Sequence, residues 1–319
     1  MNTALRATIL IPLVVLGCLA ALIMVHRPAF AGQAGLGFWI LTAVLWLAAG
    51  FALGALSHLR PKNQGTHRIV GLAVPILFGA FLFFLWEVIV VGAGVPSVLM
   101  PAPSAIAGRF MASLPTLRDD FIQTFVKSVL SGYIMGCLSG FVVAIVADRI
   151  RFLRRGLLPL GNFVSALPVI GIAPIMVMWF GFDWPSKAAV VVVMTFFPML
   201  VNTVAGLAAA GRQERDLMHS YAAGYWTTLV KLRLPVALPF IFNALKINST
   251  LALIGAIVAE FFGTPIVGMG FRISIEVARM ALDMVWAEIA LAAIAGSAFY
   301  GLIALIERGA TFWHPSYRT

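Results

Sequence analysis

Polar and ionisable side chains inside long apolar stretches are the residues of this chain whose types and spacing could do chemistry. Asn202 lies in one such stretch, and Asn243, Lys246 and Thr250 lie in another. The last three are spaced i, i+3 and i+7, which places them on one face of a helix. Such a stripe can line a water-filled path for a polar solute, or it can hold neighbouring helices or subunits together. The sequence leaves both interpretations open.

Three further ionisable residues, Glu87, Lys127 and Glu260, lie near the ends of apolar stretches. A charge costs much less near the membrane interface than at the centre of the bilayer. One interpretation is an ion-pair network that gates the outer mouth of a path. The other is a set of interface charges in contact with lipid headgroups and water. Neither interpretation gives these residues a catalytic role.

Sequence motifs for enzymatic chemistry are absent. The chain has no Gly-x-x-x-x-Gly-Lys-Ser/Thr loop for nucleotide phosphates, no Gly-x-Ser-x-Gly elbow and no metalloprotease pattern of His residues. Cys18 and Cys137 both fall inside apolar stretches, so the sequence predicts neither a disulfide framework nor a metal pair. We therefore predict no catalytic residue, no cofactor, no metal and no hydrolysis of ATP by this chain.

The elements that position these residues are predicted to be membrane helices. Hydrophobic residues make up 61% of the chain and charged residues 11%, against roughly 25% charged residues in soluble domains. The net charge of +10 is scattered over short loops, so it indicates membrane orientation and no binding of nucleic acid. The sequence predicts an all-α integral membrane protein with about eight apolar stretches of roughly 20 residues, the length that crosses a bilayer. These spans lie near residues 8–25, 36–55, 69–92, 127–147, 157–181, 187–207, 238–261 and 285–306.

The first span also resembles a secretory signal, because Arg6 precedes an apolar run and Ala29 and Ala31 resemble a cleavage site. The run exceeds the roughly 7–15 apolar residues typical of a signal peptide, so we expect an uncleaved span. Placing the N-terminus in the cytoplasm puts about 14 basic residues on that side against about 6 outside. An even number of spans then places both termini in the cytoplasm.

The longest polar interruption of the hydrophobic body covers residues 212–239. Its residues keep a helical period at Leu217, Tyr221 and Gly224, which predicts a short helix outside the bilayer. Pro235 is expected to end the helix before it, because its ring disfavours α geometry at the preceding residue and it has no N–H. With the orientation above, this loop faces the cytoplasm.

The loop resembles the cytoplasmic loop of the permease subunits of bacterial ABC importers, which has the pattern Glu-Ala-Ala-x3-Gly-x9-Ile-x-Leu-Pro. Leu232 takes the Ile place, and a shorter acidic side chain takes the Glu place. The family's Gly suits a turn of positive φ, which either Ala222 or Gly224 would have to supply here. The resemblance assigns ATPase coupling to Asp216, Leu217, Met218, Tyr221, Ala222, Gly224, Leu234 and Pro235. The coupling helix is expected at residues 216–225.

From about residue 75 to residue 306 the chain resembles the nitrate, sulfonate and taurine type of these permeases, a branch that includes transporters of pyrimidine precursors. The resemblance depends on a series of short marks in the right order. These marks include Trp86-Glu87, Leu99–Ala105, Trp179–Gly181, Phe196–Pro198, Gly206, Ala259-Glu260 and Gly268–Gly270.

This resemblance implies a type I importer fold with a six-span permease domain at residues 69–308 and a coupling loop at 208–237. Residues 1–68 would add two N-terminal spans and a basic linker, and residues 309–319 would form a short cytoplasmic tail. The implied location is the bacterial inner membrane. The implied partners are membrane lipid, a second permease expected to be a copy of this chain, cytoplasmic ATP-binding subunits and a periplasmic solute-binding protein.

Two other classes of membrane protein remain as alternatives. An ion-coupled secondary transporter should show a pair of broken helices in two related halves, together with carboxylates in the middle of the membrane. An intramembrane enzyme should place catalytic carboxylates, His residues or a nucleophile at a common depth. The sequence displays neither pattern.

Overall fold

The computed structural model describes residues 3–27, 30, 32, 34–59, 64–165, 167–263 and 266–312. These residues form helices and no strand. Six of the helices are long and apolar enough to cross a membrane, so the all-α integral membrane fold is confirmed. The predictions that concern Ala29, Ala31 and residues 313–319 lie outside the described residues.

The six long helices correspond to predicted spans, and shorter helices lie between them. The first predicted span, near residues 8–25, is also helical, but its described apolar part, Leu10–Val25, is shorter than the six. In chain order the helices are α1 Thr3–Val25, α2 Leu36–Ser57, α3 Gln64–Gly92, α4 Pro103–Ala112, α5 Leu114–Arg149, α6 Arg151–Ser165, α7 Val169–Phe180, α8 Trp184–Ala208, α9 Arg212–Ser220, α10 Tyr225–Glu260, α11 Met269–Ala278 and α12 Leu282–Ala310.

The first compact unit consists of Met1–Ala112 and Arg279–Ala287. Side chains of α1, α2 and α3 bury one another in a common apolar core, which includes Cys18, Phe38, Leu45, Phe81 and Phe84. The two N-terminal helices therefore pack on α3, the first helix of the predicted six-span domain. That residues 1–68 are an addition to a separate permease domain at 69–308 therefore stays a prediction.

The second compact unit consists of Ser113–Ala278 and Glu288–Thr319. Within it α5 and α8 approach backbone to backbone. A Cβ atom added at Gly132 would lie 2.6 Å from a carbonyl oxygen of α8, and one at Gly136 would overlap the hydroxyl of Thr195. Gly140 meets Phe196 and Met199, which lie further along α8 than the residues that Gly132 meets, so the two helices run parallel. Three glycines four residues apart thus provide the small surface that membrane helices need for close packing.

Because α5 and α8 are parallel, the chain must return along the bundle between them. The prediction of a single span at 157–181 is wrong, since α6 ends at Ser165 and α7 begins at Val169. Pro168 precedes α7 in an extended conformation, and a proline disfavours helical geometry at the residue before it. With 15 and 12 residues, α6 and α7 reach only about 22 Å and about 18 Å. Together they make the crossing that one span was expected to make.

Helix α10 packs antiparallel to α8. Gly206 near the end of α8 meets Ala237 near the start of α10, and Asn248 donates a 2.8 Å hydrogen bond to the carbonyl oxygen of Thr195 further back. Asn248 is fully buried and also contacts the thiol of Cys137 on α5. This polar group, which joins three helices, was not singled out from the sequence.

Pro235 does not end a helix, contrary to the prediction, because α10 is helical from Tyr225 to Glu260. Residues Leu229–Arg233 form a π-helical turn, and Pro235 lies in the first turn of the α-helical part that follows. A proline is tolerated in the first turn of an α-helix, where its N–H would have no intrahelical partner. The change of helix type before Pro235 therefore allows one continuous element.

Candidate functional site

The loop between α8 and α10 contains a solvent-exposed helix, α9. Its N-cap is Gly211, and Glu214 lies in its first turn, where a negative charge suits the helix dipole. The coupling helix predicted at residues 216–225 is therefore displaced, because the observed helix covers 212–220 and the chain then turns. Leu217 and Tyr221 are 57% and 77% exposed. Exposed apolar side chains outside the membrane helices, when they are contiguous, mark a partner surface.

The turn after α9 is a Schellman motif. The Ala223 N–H donates to the Met218 carbonyl at 3.0 Å, and the Ala222 N–H donates to the His219 carbonyl at 2.9 Å. Ala222 has a φ of +53°, the left-handed conformation that this motif requires, whereas Gly224 has a φ of −68°. Of the two residues considered from the sequence, Ala222 supplies the positive φ.

The base of this loop is a hydrogen-bonded network centred on Arg233. Its Nη1 and Nη2 donate to the two carboxylate oxygens of Asp148 at 2.6 and 2.7 Å, and its Nε donates to the Leu207 carbonyl at 3.0 Å. The hydroxyl of Tyr225 donates to Asp148 at 3.0 Å. The Asp148 carboxylate at the end of α5 thus accepts hydrogen bonds from the first residue of α10 and from a residue of its π-helical turn.

Sequence reasoning missed this network. Arg233 entered only as a positive charge that sets orientation, and Asp148 was not considered. Tyr225, at the end of the predicted coupling helix, is half-buried, and the guanidinium of Arg149 lies 5.5 Å from its ring centroid and 5.8 Å from that of Trp226. The available signal was the adjacent pair Asp148-Arg149 at the end of an apolar stretch. A charge at such a place either faces water or has a partner in the folded chain.

The four residues predicted for a translocation path divide into three environments. Asn202 donates to the Pro198 carbonyl of its own helix at 2.8 Å. Asn243 and Thr250 lie on an exposed face of α10. Lys246 forms a 2.7 Å ion pair with Glu307 of α12, a partner that the sequence did not suggest. The exposed face continues with Phe240, Ile247 and Ile254.

Glu260, one of the three residues predicted for an outer gate, is 2% exposed and holds the loop that follows α10. It accepts hydrogen bonds from the Thr124 hydroxyl at 2.7 Å and from the Gly270 N–H at 2.7 Å, at the start of α11. Asp120 accepts from the Gly268 N–H at 2.6 Å and pairs with Arg272 at 2.8 Å. The interpretation of Glu260 as an interface charge in contact with water and headgroups is therefore wrong, because a buried hydroxyl and a backbone N–H donate to its carboxylate.

Lys127 differs, since its side chain is exposed and donates to Gln123 at 3.0 Å. Among the described residues Lys127 and Glu260 form no ion pair with each other. Gln123 also donates to Asp183 at 2.9 Å. The hydrogen bonds from Gln123 and from the backbone N–H of Trp184 lower the pKa of the Asp183 carboxyl below its usual value.

Lys187, in the first turn of α8, is 1% exposed. Its ammonium donates to the Phe182 carbonyl at 2.5 Å and to the Gly263 carbonyl. The loops before α8 and after α10 therefore meet at one end of the second unit, which also contains Asp120. We call this the Asp120 end, and the opposite end of α5, with the loop base, the Asp148 end.

Glu87, the third residue predicted for the gate, belongs to the first unit and is 6% exposed. It accepts hydrogen bonds from the Ser104 N–H at 2.9 Å and the Ser104 hydroxyl at 2.6 Å, and it lies 3.0 Å from Nε2 of His26. The expectation of contact with water and headgroups is wrong here too. His26 at the end of α1 and Ser104 on α4 are the partners.

Among the described residues, no three His, Cys, Asp or Glu side chains come together as metal ligands. The geometry instead provides an exposed helix with an apolar patch, fixed at its base to the ends of three long helices.

Comparisons with known proteins find a matching family model and several similar sequences. The sequence model of the family described as "Binding-protein-dependent transport system inner membrane component" matches residues 132–312. A riboflavin transport system permease protein of Chloroflexus aurantiacus is 29% identical over 82% of this chain and 98% of its own length. A formylaminopyrimidine transport permease protein of Halalkalibacterium halodurans is 34% identical over 59% of this chain and 75% of its own. A putative aliphatic sulfonates transport permease protein of Bacillus subtilis is 26% identical over 80% and 92%.

Proposed function

Since this chain belongs to the family of binding-protein-dependent transport system inner membrane components, as the permease subunit of an ABC importer, we propose that α9 docks on a separate ATP-hydrolysing subunit. The observation that carries this proposal is the pair of exposed apolar side chains at the end of α9, Leu217 and the following Tyr221, which are 57% and 77% exposed outside the membrane helices. Family membership decides against the two alternatives, an ion-coupled secondary transporter and an intramembrane enzyme.

Two further features support α9 as the coupling helix. Ala222, at the place of the family's Gly, forms the left-handed turn that ends the helix. Asp216, Leu217 and Met218 at the Glu-Ala-Ala place lie on α9 itself. Leu234 and Pro235 begin the α-helical part of α10, so the end of the motif lies where the loop rejoins the membrane.

The Asp148 end is the cytoplasmic side in this proposal. Basic residues concentrate there, at Arg149, Arg154, Arg155 and along α9, and cytoplasmic loops carry the excess of Lys and Arg. The protein is then a multi-pass inner-membrane protein with both termini in the cytoplasm.

A second copy of this chain would complete the path. The exposed face of α10 alternates apolar side chains with Asn243 and Thr250, a mixture that suits a surface shared by a partner helix and a polar solute. Lys246 and Glu307 form their ion pair beside this face. Asn202 bonds to its own helix and is a weaker candidate for contact with solute.

The solute would reach the permease from a periplasmic binding protein. The relatives are named for riboflavin, formylaminopyrimidine and aliphatic sulfonates, and a further one for bicarbonate. We propose a small solute of the sulfonate, nitrate or pyrimidine-precursor type. Calorimetric titration of the partner binding protein with taurine, nitrate, bicarbonate, riboflavin and formylaminopyrimidine would identify the class.

The docking proposal is tested by Tyr221→Ala and Asp216→Lys, with Arg118→Ala as a control on an exposed residue at the Asp120 end. Loss of a buried aromatic anchor costs about 2 kcal/mol or more, whereas a rim charge costs less. We therefore expect Tyr221→Ala to weaken co-purification of the ATPase most and to reduce solute uptake. Normal assembly and uptake in both variants would refute the docking role of α9.

A further inference from the structure

The base of the loop connects the ends of three membrane helices through few side chains. The loop leaves α8 after Ala208 and rejoins the bundle at Tyr225. The Leu207 carbonyl accepts a hydrogen bond from Arg233 Nε, so the two ends of the loop are directly linked. Asp148 brings in the end of α5 as a third element.

Arg233 is suited to this position by its geometry. Its planar guanidinium forms a two-pronged contact with Asp148, with both N–O distances under 3 Å, while Nε remains free to reach α8. A fork of this kind fixes orientation as well as distance, which a lysine ammonium does not. The positions of α5, α8 and α10 are therefore coupled at this one side chain.

The network is shielded from solvent, which makes its geometry costly to change. The side chain of Asp148 is 3% exposed and that of Arg233 is 14% exposed. Separating the two would leave a charge buried without its partner, and this is strongly unfavourable. A displacement of the loop base is thus more easily accommodated by movement of the attached helices than by breaking the pair.

The link extends to the turn that carries α9. Tyr225 directly follows this turn and donates its hydroxyl to Asp148. Between Tyr225 and Arg233 the chain forms the π-helical turn Leu229–Arg233. Such turns are often found at functional sites, and here the turn carries Arg233 at its last position.

We propose that Asp148, Tyr225 and Arg233 form a clamp that passes displacement of α9 to the ends of α5 and α8. They are positioning residues for transport, since in this proposal α9 makes the contact with the ATPase and these three side chains bond to one another at the base of its loop. This inference rests on the proposed function of α9. It adds that docking and transmission use different residues, so the two can be lost separately.

The test measures hydrogen exchange of the assembled complex in lipid, with its ATPase, in the presence of MgATP or MgADP. In the wild type we expect the nucleotide to change exchange both in α9 and at residues 144–150 and 204–208. In Arg233→Lys the charge remains and the fork is lost. The response of α9 should then persist, while the response at the ends of α5 and α8 falls by at least about fivefold, as for loss of a charge-assisted hydrogen bond of about 1 kcal/mol or more.

A matched control is Arg272→Lys, because Arg272 also faces a buried carboxylate of α5, Asp120, but at the opposite end. The control should keep the full nucleotide response at residues 144–150. Tyr225→Phe provides a milder variant that keeps the ring and removes only the hydroxyl bonded to Asp148. It should give a reduced response even if Arg233→Lys folds poorly.

An unchanged response at the ends of α5 and α8 in both Arg233→Lys and Tyr225→Phe would overturn the clamp. Loss of ATPase co-purification together with the α9 response in these variants would also overturn it, because the residues would then serve docking. Failure of the docking proposal would appear differently, as a wild-type α9 that does not respond to nucleotide and a normal Tyr221→Ala variant.

Discussion

The left-handed backbone of Ala222 has a conformational cost that a glycine at this position would avoid. A left-handed conformation is unfavourable for a residue with a Cβ atom by about 1–2 kcal/mol, and Ala222 has a φ of +53°. The family pattern has Gly at this place, which avoids the cost. The turn is nevertheless formed, because its two backbone hydrogen bonds close the end of α9.

Replacing Ala222 with Gly should therefore stabilise the end of α9. We expect the relief of strain to outweigh the added flexibility of Gly in the unfolded chain, for a net gain of up to about 1 kcal/mol. Hydrogen exchange of the amides of residues 220–223 in detergent should become slower. The control Ala223→Gly, at a residue without positive φ, should speed exchange; equal acceleration in both variants would show that no strain is present at Ala222.

Sequence reasoning identified Glu87 and Glu260 as unusual charges but placed them in the wrong surroundings. Both lie in resemblance marks, and each contacts a second mark further along the chain: Glu87 bonds to Ser104, and Glu260 bonds to Gly270. The order of the marks along the sequence contains no information about which of them meet. Backbone N–H groups in the first turn of a later helix are partners that only the folded chain provides.

Helical elements were predicted well where one helix crosses the bilayer in one piece. Hydrophobic length identifies such spans directly, and α2, α3, α8 and α12 lie close to their predicted ranges. The break between α6 and α7 was missed, because residues 157–181 are predominantly apolar and the hydrophobicity of a stretch does not show where the backbone changes direction. Pro168 was the signal, since it disfavours helix geometry before it.

The glycine stripe of α5 gives a prediction at the scale of a helix pair. A methyl group at Gly136 would overlap the Thr195 hydroxyl and lie 3.0 Å from the backbone of α8. Gly136→Ala should therefore push α5 and α8 apart and lower the free energy of unfolding by about 1–3 kcal/mol. Thermal unfolding in detergent measures this change.

Gly301→Ala on α12 is the control for this substitution, because a Cβ atom there has no neighbouring atom within 4 Å. It should leave the unfolding temperature unchanged or raise it slightly, since alanine favours the helix by up to about 1 kcal/mol. If Gly136→Ala were as stable as Gly301→Ala, the close packing of α5 on α8 would not contribute to stability.

At the scale of the whole molecule, the direction of the helices in the second unit makes the proposed orientation testable. Lys187 brings residues 182 and 263 together at the Asp120 end, and Arg233 brings the ends of α5 and α8 together at the other. A reporter active only in the periplasm should give signal when fused at Gly181 or Phe262. Fusions at Arg212 or Arg308 should give none, and signal at Arg212 would reverse the assigned orientation.

Deletion of residues 2–62 would show whether the N-terminal helices are needed for assembly with the ATPase. The deletion removes α1 and α2 and exposes Phe81, Phe84 and Val88 of α3, which these helices help to bury. Lipid can cover apolar side chains, so this exposure costs less in a membrane than in water. Glu87 loses His26 but keeps both hydrogen bonds from Ser104.

The contacts that hold the base of α9 connect α5, α8 and α10, which all belong to the second unit. The shortened permease should therefore still co-purify with its ATPase, even where its yield falls. His26→Gln is the milder companion variant, since it removes the imidazole next to Glu87 and retains both N-terminal helices. Loss of ATPase assembly by a truncated chain that is inserted and folded would mean that α1 and α2 are required by the core itself.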